Sequence, residues 1–195
     1  MVQVLENYIQ DLEAAESSAF PDCPHGCRVH AGMLHTYNSI RNPTIDAIAD
    51  KLALLGPGAM LRATGHSMGA SMVELLCVDL AIHSHAECAS IYTFGTPRSG
   101  NQAFVDALAT ATPSRDVWRV THWRDPVPHL PPTSFGYVHA PTEVFYNYDC
   151  STVRQCSGSD DKNCSAQFST VACLVCCVME HLHYMNQTIG KAQCQ

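Results

Sequence analysis

The sequence predicts a single α/β domain, residues 1–195, built on a mostly parallel sheet. Three observations carry that reading. Strand-length apolar segments alternate with helical ones between residues 59 and 123, the pattern of parallel strands joined by crossover helices and covered on both faces. The chain has 195 residues, enough for one core and short for two. Hydrophobic residues make up 46% and charged ones 15%, which excludes a disordered chain or a coiled coil.

Each element has its own signal. Leu5, Tyr8, Ile9 and Leu12 follow the i, i+3, i+4, i+7 spacing of a short amphipathic helix. Residues 19–28 read as a loop because of Pro21, Pro24 and Gly26. Residues 29–55 read as helix in two pieces, the second starting at Asn42 as N-cap with Pro43 in the first helical position. Gly56-Pro57-Gly58 is a strong stop. A strand follows over 59–64, a helix rich in Ala, Met, Leu and Val over 68–83, and a strand over 89–94. After the Gly95-Thr96-Pro97 turn, residues 101–110 read as helix and 117–123 as a strand ended by Asp125-Pro126. Residues 143–148 form another strand, 150–163 a polar loop and 175–189 a last helix.

Charge and apolar runs narrow the class of partner. Lys plus Arg is 11 against 18 Asp plus Glu, a net charge of −7 without a basic block, which argues against nucleic acid. The longest apolar run, 171–179, is far too short for a transmembrane segment. Eleven cysteines point to an oxidising compartment, and the odd count leaves at least one thiol free or paired outside this chain. Asn163-Cys164-Ser165 and Asn186-Gln187-Thr188 are sequons that fit a secretory route. The first 18 residues carry Glu6, Asp11, Glu13 and Glu16 and lack the apolar stretch of a signal peptide.

One motif carries chemistry. Gly65-His66-Ser67-Met68-Gly69 is G-x-S-x-G between an apolar strand and a helix, the setting a nucleophile elbow requires. There the turn strains the serine backbone, the glycines let strand and helix pass closely, and the helix N-terminus favours a developing oxyanion. The plain alternative is a Gly-Ser turn. Serine attacks an ester only when a histidine takes its proton and a carboxylate fixes that histidine. Asp125, at a strand end downstream of Ser67, is the candidate acid, although an Asp before Pro126 also starts turns. Among eleven histidines, His129 and His139 follow Asp125 too closely to be favoured, and spacing does not choose between His181 and His183.

Six blocks together resemble the fungal-type triacylglycerol lipases, lipase class 3. They are Asn7-Tyr8-Ile9-Gln10-Asp11-Leu12, Val29-His30-Ala31-Gly32-Met33, Thr64-Gly65-His66-Ser67-Met68-Gly69, Tyr92 to Asn101, Arg124 to Pro132, and Glu180-His181-Leu182-His183-Tyr184. The resemblance implies an α/β-hydrolase fold with a mostly parallel sheet and flanking helices, incomplete at its N-terminal side. It implies Ser67 as nucleophile, Asp125 as acid and His181 as base, with the backbone N–H of Met68 as an oxyanion donor and His183 as a bystander. It implies secretion and a lipid ester substrate met at a lipid–water interface.

The family has further strands before the Asn7 block, including a turn that supplies the second oxyanion donor, so the chain reads as a lipase lacking that part. A catalytically impaired domain that only binds lipid or a partner is the alternative. Cys194 would then lack a family partner near the N-terminus. Cys23–Cys27 and Cys156–Cys164 are expected bridges, while Cys77, Cys88, Cys173, Cys176 and Cys177 are expected as small buried hydrophobes. A zinc site from Cys173, Cys176 and His181 lacks a second C-x-x-C pair, so neither metal nor cofactor is expected. Acyl-chain preference, and the choice among lipase, feruloyl-type esterase and acyltransferase, do not follow from these residues.

Overall fold

Parallel strands need crossovers, and a helix after each of the first two strands of the main sheet supplies two of them. In a computed structural model, which describes residues 11, 12, 16–83, 85–114, 116–169, 173 and 177–189, five strands pair in the order β3-β4-β5-β6-β7. They are β3 (Leu61–His66), β4 (Cys88–Phe94), β5 (Val117–His122), β6 (Glu143–Tyr146) and β7 (Val153–Cys156). The first four run parallel and β7 is antiparallel to β6. A short hairpin of β1 (Ser17–Ala19) and β2 (Arg28–His30) stands apart, closed by the Cys23–Cys27 bridge within the loop read from the sequence.

Helices α1 (Ala31–Leu55), α2 (Met68–Ile82) and α3 (Gln102–Ala111) bury one face of the sheet. Ala63, Ile91 and Val117 share a core with Leu34 and Tyr37 of α1, Leu75 and Val78 of α2, and Phe104 and Leu108 of α3. The opposite face, where the Tyr92 and Trp118 rings stack at 6.4 Å, is open at Arg62, Thr64 and Tyr92 among the described residues. Among the described residues, helices thus cover one face rather than both. Asp79 pins α1 to α2 by accepting from Tyr37 Oη at 2.5 Å and from Arg41 Nε at 2.6 Å and Nη2 at 2.8 Å.

Several expectations change. The 29–55 stretch is one helix from Ala31, not two pieces, with Pro43 inside it. Ser39, whose carbonyl loses its donor to Pro43, is exposed, so water replaces the missing bond and the interruption costs less than in a buried helix. Residues 150–163 are not all loop. Val153–Cys156 forms an edge strand whose exposed Arg154 and Gln155 suit that position, with the Cys156–Cys164 bridge closing the loop behind it.

The expected last helix over 175–189 is absent from the described residues. Val178–Leu182 is a 3₁₀ turn, followed by a hairpin of β8 (His183–Tyr184) and β9 (Gln187–Thr188). Met185 and Asn186 between them have φ of 51° and 60°, two consecutive left-handed residues that an α-helix excludes and a tight hairpin turn requires. The expected helix over residues 5–12 falls mostly outside the described residues. Leu12, which is described, is buried with Met33, Val127 and Leu130.

Cys77 and Cys88 also depart from expectation: they are joined in a disulfide from α2 to the start of β4, and Cys23–Cys27 and Cys156–Cys164 form as expected. Cys173 and Cys177 are buried, whereas Cys176 and Cys194 lie outside the described residues. The Cys77–Cys88 link spans 11 residues of sequence, so the double change Cys77→Ala/Cys88→Ala should cost about 2–3 kcal/mol by relaxing the unfolded chain. Calorimetry should show a fall of roughly 5–10 °C in Tm, with little change in any activity.

Candidate active site

The turn from β3 into α2 is the sharpest feature at the carboxyl end of the sheet. Ser67 has φ 59° and ψ −131°, a strained conformation for a residue with a side chain. Gly65 permits it: a Cβ there would lie 2.4 Å from the Gly69 carbonyl oxygen. A Cβ on Gly69 would meet nothing within 4 Å, so of the two motif glycines only Gly65 is required by close approach. The Ser67 amide donates to Phe94 O at 2.9 Å, tying the elbow to the end of β4. Met68 opens α2, with its N–H in the first turn.

Asp125 and His181 meet behind that link. Asp125 follows β5, fully buried, and its Oδ1 accepts from the Val127 amide at 2.9 Å, so it does serve the turn. The same carboxylate receives His181 Nδ1 at 2.9 and 3.0 Å, and the Tyr184 hydroxyl donates to its Oδ2. Turn residue and histidine partner are one residue. Burial alone would push the Asp125 carboxyl up, but His181, Tyr184 and the Val127 amide together hold it below the usual carboxylate range. Burial, then the Asp125 charge, drives the Tyr184 hydroxyl far above its ordinary range, so it stays a donor.

His181 is completely buried, and its Nε2, the nitrogen turned away from Asp125, has no hydrogen-bond partner among the described residues. With Nδ1–H held by a carboxylate, Nε2 keeps the lone pair that a general base uses. His183 instead lies 5.5 Å, ring to ring, from His122. His139 Nε2 donates to Pro128 O at 2.7 Å, and His129 is buried in the field of Arg98. No set of three His, Cys, Asp or Glu side chains converges as a metal site among the described residues.

Three participants escape a reading by spacing. Gly95, with φ +56°, leaves a gap in which a Cβ would lie 2.9 Å from Asp125 Oδ2, His181 Cε1 and Tyr184 Oη. Its only sequence signal is a glycine directly after a strand. Tyr184 sits three residues beyond His181, and His66 precedes Ser67 inside the motif, with its Nε2 2.8 Å from the His181 carbonyl oxygen.

The lipase (class 3) family model matches residues 2–135. A lipase from Rhizomucor miehei is 31% identical over 195 residues, covering 95% of this chain and 50% of the relative. A secreted mono- and diacylglycerol lipase from Fusarium solani is 29% identical over 83% of this chain and 48% of its own length. The chain thus spans about half the length of these relatives. Lipase II from Rhizopus niveus superimposes with a TM-score of 0.80 at 30% identity, covering 94% of this chain and 68% of that structure.

Gly95→Ala should misplace Asp125 and His181 together and lower any ester hydrolysis at this site by about 10²-fold, with KM little changed in steady-state kinetics. Tyr184→Phe removes one of the donors that depress the Asp125 carboxyl. Its folded-state value should rise toward the unfolded one, so both activity and the stability Asp125 contributes are lost at a higher pH on the acid side. A kcat/KM profile and acid unfolding, each compared with the parent chain, measure that shift.

Proposed function

Because the chain belongs to the class 3 lipase family, we propose that it is a serine carboxylic-ester hydrolase acting on lipid esters, with Ser67 as nucleophile, His181 as general base and Asp125 as the acid. The buried Asp125–His181 pair, with Nε2 unengaged among the described residues and the strained Ser67 turn tied to the adjoining end of β4, carries this reading. Ser67 Oγ attacks the ester carbonyl as His181 Nε2 takes its proton, and Asp125 stabilises the imidazolium. The tetrahedral oxyanion is met by the Met68 N–H and the positive end of α2. His181 then returns the proton to the departing alcohol, leaving an acyl-enzyme. Water, deprotonated by the same nitrogen, releases the acid; an alcohol in its place would give acyl transfer.

Exposed methionines favour a lipid–water interface as the place of reaction. Met68, Met179 and Met185 are 37%, 59% and 50% exposed and lie within four residues of Ser67 or His181 in the sequence. Apolar side chains of this kind gain free energy by entering an acyl layer. Three disulfides and the secreted Fusarium solani relative support passage through an oxidising secretory route.

The decisive measurement is p-nitrophenyl ester hydrolysis with organophosphate labelling. Ser67→Ala should abolish labelling and lower kcat by about 10⁴-fold or more. His181→Ala should approach that loss, whereas His183→Ala should leave turnover within a few-fold; equal losses would reject the assignment of the base. On the secretory reading, Asn186 stands at the exposed tip of the β8–β9 hairpin, while Asn163 precedes buried, disulfide-bonded Cys164 and buried Ser165. Mass spectrometry of protein secreted from a eukaryotic host should find an N-linked glycan on Asn186 rather than Asn163.

A further inference from the structure

We propose that His66 is a positioning residue for the general base, bracing the His181 main chain through a hydrogen bond while its ring covers one face of the His181 imidazole. The proposal rests on the reading of His181 as that base. The contact joins segments 115 residues apart: His66 Nε2 lies 2.8 Å from the His181 carbonyl oxygen. A carbonyl can only accept, so Nε2 carries the proton and the neutral ring leaves Nδ1 as its acceptor. The two ring centroids are 4.4 Å apart and tilted by 32°, and the Tyr184 ring meets His66 edge-on at 5.7 Å.

His181 needs such a brace because of where it sits. It is carried by a 3₁₀ turn and a two-residue strand that pairs with β9 and not with the main sheet. Sheet register therefore does not fix its distance to Ser67. Asp125 orients the imidazole from β5, but the link between His181 and the nucleophile's own segment is His66, adjacent to Ser67. One peptide bond then connects the nucleophile to the group that holds the base.

Charge sets a second requirement. His181, Asp125 and Tyr184 face His66, and burial, followed by the His181 charge, lowers the His66 value to about 4. It is a neutral donor at working pH, which matters because a cation there would oppose the imidazolium that forms on His181. Any neutral N–H of the right reach should therefore serve. A glutamine amide reaches the place of Nε2, and an asparagine is one methylene short.

The experiment compares His66→Gln, His66→Asn and His66→Phe with the parent chain in kcat, KM, Tm and the downfield Nδ1–H proton signal of His181 by NMR. Phe keeps a ring without the donor, so kcat should fall by about 10- to 100-fold at unchanged KM, and the His181 signal should broaden. Gln should recover most of the lost kcat and the sharp signal, and Asn should not. Should Phe fail to fold, the Gln–Asn contrast decides alone. Parental kcat in Phe or Asn, or Gln and Asn losing kcat alike in step with Tm, would overturn the proposal. His181→Ala is measured beside them. If it leaves turnover intact, the triad reading itself has failed; if it abolishes turnover while His66→Asn is parental, only the brace has.

Discussion

Three chain segments converge where Gly95 has no side chain. The glycine ends β4 at φ +56°, and its amide donates to Val120 O at 3.0 Å, so β5 holds it in place. The volume that a Cβ would fill is used instead by Asp125 from the end of β5 and by His181 and Tyr184 from the C-terminal segment. One residue earlier, Phe94 accepts the amide of Ser67. The site is thus assembled around a single point of close backbone approach, and its precision depends on the end of β4 more than on any one charged pair.

Burying a carboxylate and an imidazole at that point carries a desolvation cost, and the surroundings offset it with directed donors. Asp125 takes contacts from His181 Nδ1, Tyr184 Oη and the Val127 amide, enough to keep it ionised without water. At a second buried carboxyl the balance falls the other way. Glu74 of α2 accepts from Ser99, which lies on the loop between Gly95 and α3, and Ser99 Oγ is 3.0 Å from Ser71 Oγ. Burial raises the Glu74 carboxyl to about 7, with the Ser99 bond and Arg119 working against that rise. This polar contact couples the helix that begins at the Ser67 turn to the loop that continues from Gly95.

How much of this was legible follows from where period and punctuation exist. The β3-to-β5 core has strand-length apolar runs, helices between them and glycines at the joints, and the observed bounds fall within two residues of those read from the sequence. The strained turn at Ser67 was legible because its glycine at 65 and its strand and helix are all local. The Cys77–Cys88 bridge was not, because both residues sit in apolar segments where a thiol packs equally well. Pro43 misled because its cost depends on whether the orphaned carbonyl reaches water, which only the packing of α1 decides.

The C-terminal error has a deeper cause. Residues 175–189 are apolar enough to satisfy a helical pattern, and their true conformation is set by contacts made from outside the segment. His122 and His66 place ring nitrogens 3.3 and 2.8 Å from two consecutive main-chain oxygens, those of Glu180 and His181, and Asp125 takes the His181 ring. A helix through these residues would engage those carbonyls in its own bonds. Left-handed Met185 and Asn186 then turn the chain back directly after Tyr184, whose hydroxyl donates to Asp125. The local signal for helix loses to these tertiary hydrogen bonds, and a buried histidine held on irregular backbone is what results.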